Sequence, residues 1–155
     1  MTEAHFRDLL VTQVVGPTWT KIESPTTAGG IPDLYGIDRG RSLWIECKII
    51  KKTLLPAQVN AQLSCGLAPR QLTGRQRRWH LAHQQAGGHS LILATVRSAD
   101  LRWDQFPVWI WSGAAADTLF RTGHMPDDDR FSLFLFPRDT SWEPMRALFV
   151  PGAWI

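Results

Sequence analysis

At 155 residues, 44% of them hydrophobic, the chain has the makings of one ordinary domain with a real core and no room for a second full domain. A net charge of +3 suits a polyanionic partner but falls far short of a protein that coats nucleic acid. Two cysteines outside any zinc-type Cys/His spacing, no signal-like N-terminus and no apolar run near the roughly 18 residues of a membrane span lead us to expect a soluble, cytoplasmic protein without structural zinc or membrane contact.

In chain order, residues 2–15 read as a helix capped by Thr2, with Phe6, Leu9, Leu10, Gln13 and Val14 as its apolar stripe and Gly16-Pro17 as its stop. Trp19 to Ile22 is a short strand. Ser24 to Gly30 is a turn-rich loop that runs into Pro32-Asp33 and can bring backbone close to a phosphate. Strands at 31–37 and 42–50 follow, folded into a hairpin by Asp38-Arg39-Gly40-Arg41. Residues 51–70 carry no clear pattern. Thr73 to Gln85 reads as a helix closed by Gly87-Gly88, and Ser90 to Val96 as a short buried strand. Beyond Arg97, Pro107 to Trp111 and Phe131 to Phe136 read as strands and Gly113 to Thr122 as a short helix, all additions to the same domain. Trp109 and Trp111 fall on one strand face and suit a core, whereas Asp127-Asp128-Asp129 suits a solvated turn. His80, His83 and His89 suit solvent or packing roles. Helices alternating with strands in this way predict an α/β sheet covered by helices.

The segment from Leu43 to Ile49 carries the chemistry. As a strand it turns Leu43, Ile45, Cys47 and Ile49 one way and Trp44, Glu46 and Lys48 the other. Glu46 and Lys48 then stand roughly 6.5–7 Å apart on one face, able to flank a phosphate-sized site. The hairpin brings Asp33 alongside as a second hard oxygen ligand for a divalent ion. Without a cation two such carboxylates repel, so their pKa values are expected to rise. Taken singly the residues have plainer readings: a solvent-facing Glu46–Lys48 ion pair, and Asp33 shaping a turn.

Gly30-Ile31-Pro32-Asp33 followed by Trp44-Ile45-Glu46-Cys47-Lys48 resembles the Pro-Asp and Glu-x-Lys signature of the PD-(D/E)XK nuclease superfamily. With Leu72-Thr73-Gly74-Arg75-Gln76 downstream, the chain most resembles phage-type VRR-NUC domains and Holliday junction resolvases, over roughly residues 3–97. The resemblance implies a restriction-endonuclease-like core of αβββαβ order, with residues from about 98 to 155 as a C-terminal β/α extension. It implies a Mg²⁺-dependent DNA endonuclease, with Mn²⁺ as a possible substitute, acting on branched or otherwise structured DNA in replication, recombination or repair. A homodimer and a phage origin are further expectations. Asp33 and Glu46 would hold the metal, joined by the backbone carbonyl of Cys47 and by Glu3 on the first helix. Lys48 would serve the attacking water and the phosphate.

Several of these residues keep two readings. Glu3 is equally a helix N-terminal carboxylate, favoured there by the macrodipole, and Glu23 is a further metal candidate. Gln76 either orients Lys48 or a water, or closes a capping box onto Thr73. Arg75, Arg77 and Arg78 with Lys51 and Lys52 either contact DNA phosphates or form the wet face of the fold. The alternatives to the DNA endonuclease are a catalytically inactive nucleic-acid-binding protein of the same fold, a restriction-type nuclease and an RNA-directed one.

Overall fold

The computed structural model describes residues 2–22, 29–50, 72–96, 107–122, 132–135 and 143–150. Glu23, Lys51, Lys52, Cys65 and the Asp127–Asp129 run lie outside the described residues.

Helix α1 spans Glu3–Gln13, with Thr2 Oγ1 accepting from the His5 amide at 3.2 Å as its N-cap. Phe6, Leu10 and Val14 are buried, and Leu9 and Gln13 are half-buried at the edge of that stripe. The helix stops two residues short of expectation because Val14 has left helical geometry and Gly16 has φ +115°. Val15 is correspondingly exposed.

The strands are β1 (Thr18–Lys21), β2 (Leu34–Asp38), β3 (Arg41–Ile50), β4 (Ser90–Val96), β5 (Pro107–Ser112) and β6 (Ser132–Leu135). They form one six-stranded sheet in sequence order, antiparallel throughout except for the parallel β3–β4 pair. A parallel pair needs a crossover, and helix α2 (Gly74–Gln85) lies within it. A one-turn 3₁₀ segment, Gly113–Ala115, leads into α3 (Ala116–Thr122), and a second 3₁₀ segment covers Glu143–Phe149. The fold is therefore α/β, with a mixed sheet flanked by helices and the αβββαβ order expected for the first 97 residues.

β2 begins at Leu34, not at residue 31. Pro32 has no N–H for a ladder, and Gly30, at φ +116°, turns the chain immediately before it. Pairing still reaches Asp33, whose carbonyl accepts from the Ile22 amide at 2.8 Å. At the other end β2 runs through Asp38, so the turn is Arg39-Gly40 alone. Both residues have positive φ, 49° and 76°, as a two-residue hairpin turn demands.

Gly30 is constrained twice. Beyond its φ, an added Cβ would lie 2.7 Å from the Arg75 backbone, so the loop sits directly on the start of α2. Gly30→Ala is expected to cost about 1–3 kcal/mol, seen as a lower denaturant midpoint at unchanged slope.

β3 is buried on both faces along much of its length. Leu43, Ile45, Cys47 and Ile49 form part of the core, toward which α1 and the 143–149 segment pack. β4 is buried continuously from Leu91 to Thr95, as an interior strand with both faces covered should be. Trp109 and Trp111 are fully buried, in keeping with their expected core role. Asp38 is tied to the C-terminal segment by Arg146, at 2.7 and 3.1 Å, which holds its carboxyl below the usual range.

Candidate active site

β3 delivers Trp44, Glu46 and Lys48 to the face that α2 covers, with the Cys47 side chain on the opposite, core face. The register pairs Leu34 with Ile45, so Asp33 stands opposite Glu46 one step beyond the ladder. Its Oδ2 accepts from the Cys47 amide at 2.8 Å, which locks the Pro32-Asp33 turn to the middle residue of Glu-x-Lys. Because the donor is backbone on the neighbouring strand, the bond holds the Asp33 side chain in one rotamer.

Glu46 and Lys48 meet directly. Lys48 Nζ lies 2.7 Å from Glu46 Oε1, and the two side chains are only 7% and 1% exposed. The solvent-facing ion pair is thereby excluded. The open gap suggested by strand spacing is also closed, because two polar groups out of reach of water satisfy each other.

Gln76 forms the expected cap and also reaches the site, but at Glu46 and not at Lys48. Its backbone N–H donates to Thr73 Oγ1 at 3.2 Å and its Oε1 accepts from the Thr73 amide at 2.9 Å, a complete capping box. The other end of the same amide, Nε2, donates to Glu46 Oε1 at 2.5 Å. The cap thus aims the amide that holds the carboxylate. Thr73→Ala should remove the cap alone, at about 1 kcal/mol, while Gln76→Ala should lose the cap and the Glu46 contact together. Denaturation midpoints check this: Gln76→Ala is expected to lower the midpoint more than Thr73→Ala.

One Glu46 oxygen therefore has two donors, and the other, Oε2, is buried without a hydrogen-bond partner. Burial drives the Glu46 carboxyl up to about 8, and Asp33 and Glu3 push the same way against the pull of Lys48. For Lys48, burial works to lower its pKa, but the Glu46 charge and hydrogen bond outweigh it and raise it on balance. Lys48 is thus a persistent cation. The Cys47 thiol, fully buried, is pushed well up by burial and the adjacent carboxylates, so it is inert as a nucleophile.

Among the described residues no three His, Cys, Asp or Glu side chains are grouped to hold a metal ion. A Mg²⁺-type site does not require three. Such an ion is commonly held by one or two carboxylates, with water and substrate phosphate completing its shell. Glu46, with its partnerless Oε2, and Asp33, opposite it on the neighbouring strand, offer hard oxygens only and fit that donor set. Glu3, exposed in the first turn of α1, lies near enough for its charge to act on Glu46, Cys47 and Lys48.

The arginines of α2 divide. Arg75 and Arg78 line a cavity of about 440 Å³ with Gly29, Ile31 and Trp79. Arg77 turns to α3 instead, where its Nε lies 2.7 Å from Asp117, a carboxylate also held by Arg121.

One feature escaped the sequence reading, and His80 takes the packing role expected for it. Trp44, two residues before Glu46 on the same face, packs against Tyr35 at 4.7 Å and Trp79 at 5.3 Å between centroids, and Trp79 stacks on His83 at 4.6 Å. The signal was available, since Trp44 shares the strand phase of Glu46 and Trp79 lies three residues after Gln76. His80 is fully buried, its Nδ1 2.9 Å from Ser90 Oγ and its Nε2 without a partner. Burial, with His83 and Lys48 adding to it, pushes its pKa down to about 3, so it is a neutral packing residue.

No protein-family model and no curated protein matches the sequence. Among solved structures, Hjc, a Holliday junction resolvase from the archaeal hyperthermophile Archaeoglobus fulgidus, is similar with a TM-score of 0.46 and 10% identity, over 93% of this chain and 98% of that one. So distant a likeness assigns no residue and no activity here.

Proposed function

We propose that the chain is a divalent-metal-dependent DNA endonuclease that acts on branched or otherwise structured DNA. The observation that carries this reading is the asymmetry of Glu46: one oxygen is fixed by Lys48 and Gln76, and the other is buried and partnerless, in a carboxyl on which the Asp33 charge acts. A purely structural ion pair has no use for a buried carboxylate oxygen left unsatisfied, which costs on the order of 1–3 kcal/mol.

Asp33, Glu46 and the Cys47 carbonyl would hold Mg²⁺ or Mn²⁺, with Glu3 a further ligand; when bound, the ion supplies a water nucleophile at neutral pH and neutralises phosphoryl charge. The protein's own residues do the rest. Asp33 is pinned by the Cys47 amide, so one ligand is positioned before the ion arrives. Lys48 stays protonated and is held on the strand, where it offsets negative charge that builds on the phosphate. Gln76 keeps the Glu46 carboxylate from rotating. Arg75 and Arg78, on the helix that carries Gln76, would take neighbouring phosphates.

The test is cleavage of end-labelled junction, flap, single-stranded, duplex and RNA substrates with Mg²⁺ or Mn²⁺, set against EDTA and Glu46→Gln. Cutting of a branched DNA with either ion, lost in Glu46→Gln, is expected. Failure to cut any substrate leaves the chain a nucleic-acid-binding protein, and preference for RNA or plain duplex moves it to the other nuclease classes. Light scattering with and without junction DNA tests the homodimer.

A further inference from the structure

We propose that the cavity between the Gly29–Ile31 loop and α2 is a binding site for an unpaired nucleotide of the DNA, its base stacked on Trp79 and its flanking phosphates met by Arg75 and Arg78. The inference rests on the nuclease reading and deepens it by naming the substrate feature recognised beside the cut.

Arg75, Arg78 and Trp79 sit at i, i+3 and i+4 of α2 and so share one face of the helix. With Gly29 and Ile31 they line an open pocket of about 440 Å³ on the protein surface. Among the described residues, Arg75 and Arg78 enter no ion pair, in contrast to Arg77, which is committed to Asp117. The cavity therefore presents two cationic forks and a large aromatic ring, the combination that binds single-stranded nucleic acid: charge for the backbone and a π-face for the base.

The ring is also braced. His83 stacks on it with an interplanar angle of 20°, while Trp44 and His80 meet it edge-on at 5.3 and 5.4 Å. A ring held from several sides loses little freedom when a base stacks on it. Its braces also connect it to the catalytic strand, since Trp44 and Glu46 are neighbours on one face of β3. The loop side is continuous with the site as well, because Ile31 is two residues from Asp33. The cavity therefore lies on the side of the sheet that carries Glu46 and Lys48. A base inside a duplex cannot offer its face to an indole, so the geometry selects an unpaired base, as at a branch point, flap or frayed end.

The test is equilibrium binding in EDTA of a labelled single strand, a flapped duplex and a fully paired duplex to the whole protein. Wild type should bind the first two more tightly than the duplex. Trp79→Leu should weaken them by about tenfold and leave the duplex affinity within about twofold, with Trp79→Phe restoring most of the loss. Because Trp79→Leu removes a brace from the fold, Arg75→Gln with Arg78→Gln provides a second handle. That pair should lower the salt slope of single-strand binding by about 0.7 per arginine. Equal weakening of all three DNAs by Trp79→Leu, or no weakening, together with an unchanged salt slope in the arginine variant, overturns the proposal. Cleavage of the same DNAs in Mg²⁺ separates the two claims. Cutting without the binding contrast sinks the cavity alone, while the contrast without cutting leaves the cavity and sinks the nuclease.

Discussion

Lys48→Ala is expected to slow single-turnover cleavage by about 10²–10³-fold or more at saturating enzyme, the loss typical of removing one fixed group that stabilises developing charge. Lys48 is buried, bonded to Glu46 at 2.7 Å and kept protonated, so no neighbouring water or exposed lysine can substitute for it. The variant should nevertheless fold. Loss of the ammonium leaves a carboxyl already raised to about 8, which holds its proton at neutral pH in the metal-free protein and so leaves no unpaired buried charge. Thermal denaturation at neutral pH checks that the fold survives. Lys48→Arg keeps the charge but brings a planar guanidinium that cannot occupy the place of a compact ammonium between Glu46 and the phosphate, and it should recover little of the rate. Cleavage by Lys48→Ala within about threefold of wild type would remove Lys48 from the reaction.

Much of the site was legible because strand alternation is a strict rule. Leu43 to Ile49 divides its side chains by parity, and the structure sets Glu46 and Lys48 on one face and Cys47 in the core as that parity requires. Helix α2 was equally legible, from its Thr73-x-x-Gln76 cap to the glycines that close it. What parity and caps do not encode is where a side chain goes once a second element packs on it. The spacing of Glu46 and Lys48 suggests an open pair, yet burial brings them into contact. Gln76 keeps two readings in sequence because a helix position does not show that its amide has two ends, one for Thr73 and one for Glu46. Arg75, Arg77 and Arg78 are a single cationic run in sequence, but the turn of a helix sends Arg77 to Asp117 and the other two to the cavity. The start of β2 was misplaced because apolar pattern alone does not register the φ of Gly30 or the missing N–H of Pro32.

In the metal-free protein, stability is expected to be greatest near pH 6.5 and to decline on both sides, for opposite reasons. Glu46 moves from an ordinary 4.5 to about 8 on folding, so between those values the folded state holds a proton that the unfolded state has lost. Stability then falls as pH rises, at up to about 1.4 kcal/mol per pH unit. His80 moves from 6.5 down to about 3, so across that range the unfolded state holds the extra proton and stability falls as pH drops, by a similar slope. From 4.5 to 6.5 the two slopes oppose each other, and His89, also lowered by burial, tilts the balance toward the higher pH. Above 6.5 the Glu46 slope runs alone up to about 8; below 4.5 the His80 slope does, reinforced as Asp38 loses the stability its lowered carboxyl supplies. Lys48, raised, matters only above its ordinary 10.5. A divalent ion bound to the ionised carboxylate reverses the alkaline arm alone, since it does in the folded state what the proton did. Chemical denaturation from pH 4 to 9 in EDTA and in Mg²⁺ should therefore differ most near pH 8 and least near pH 5. Glu46→Gln, with no proton to lose, should flatten the alkaline arm in EDTA and erase the response to Mg²⁺. If the metal-free wild type were as stable at pH 8 as at pH 6.5, Glu46 would not be a buried, proton-holding carboxyl, and the argument for a ligand waiting on its cation would fail with it.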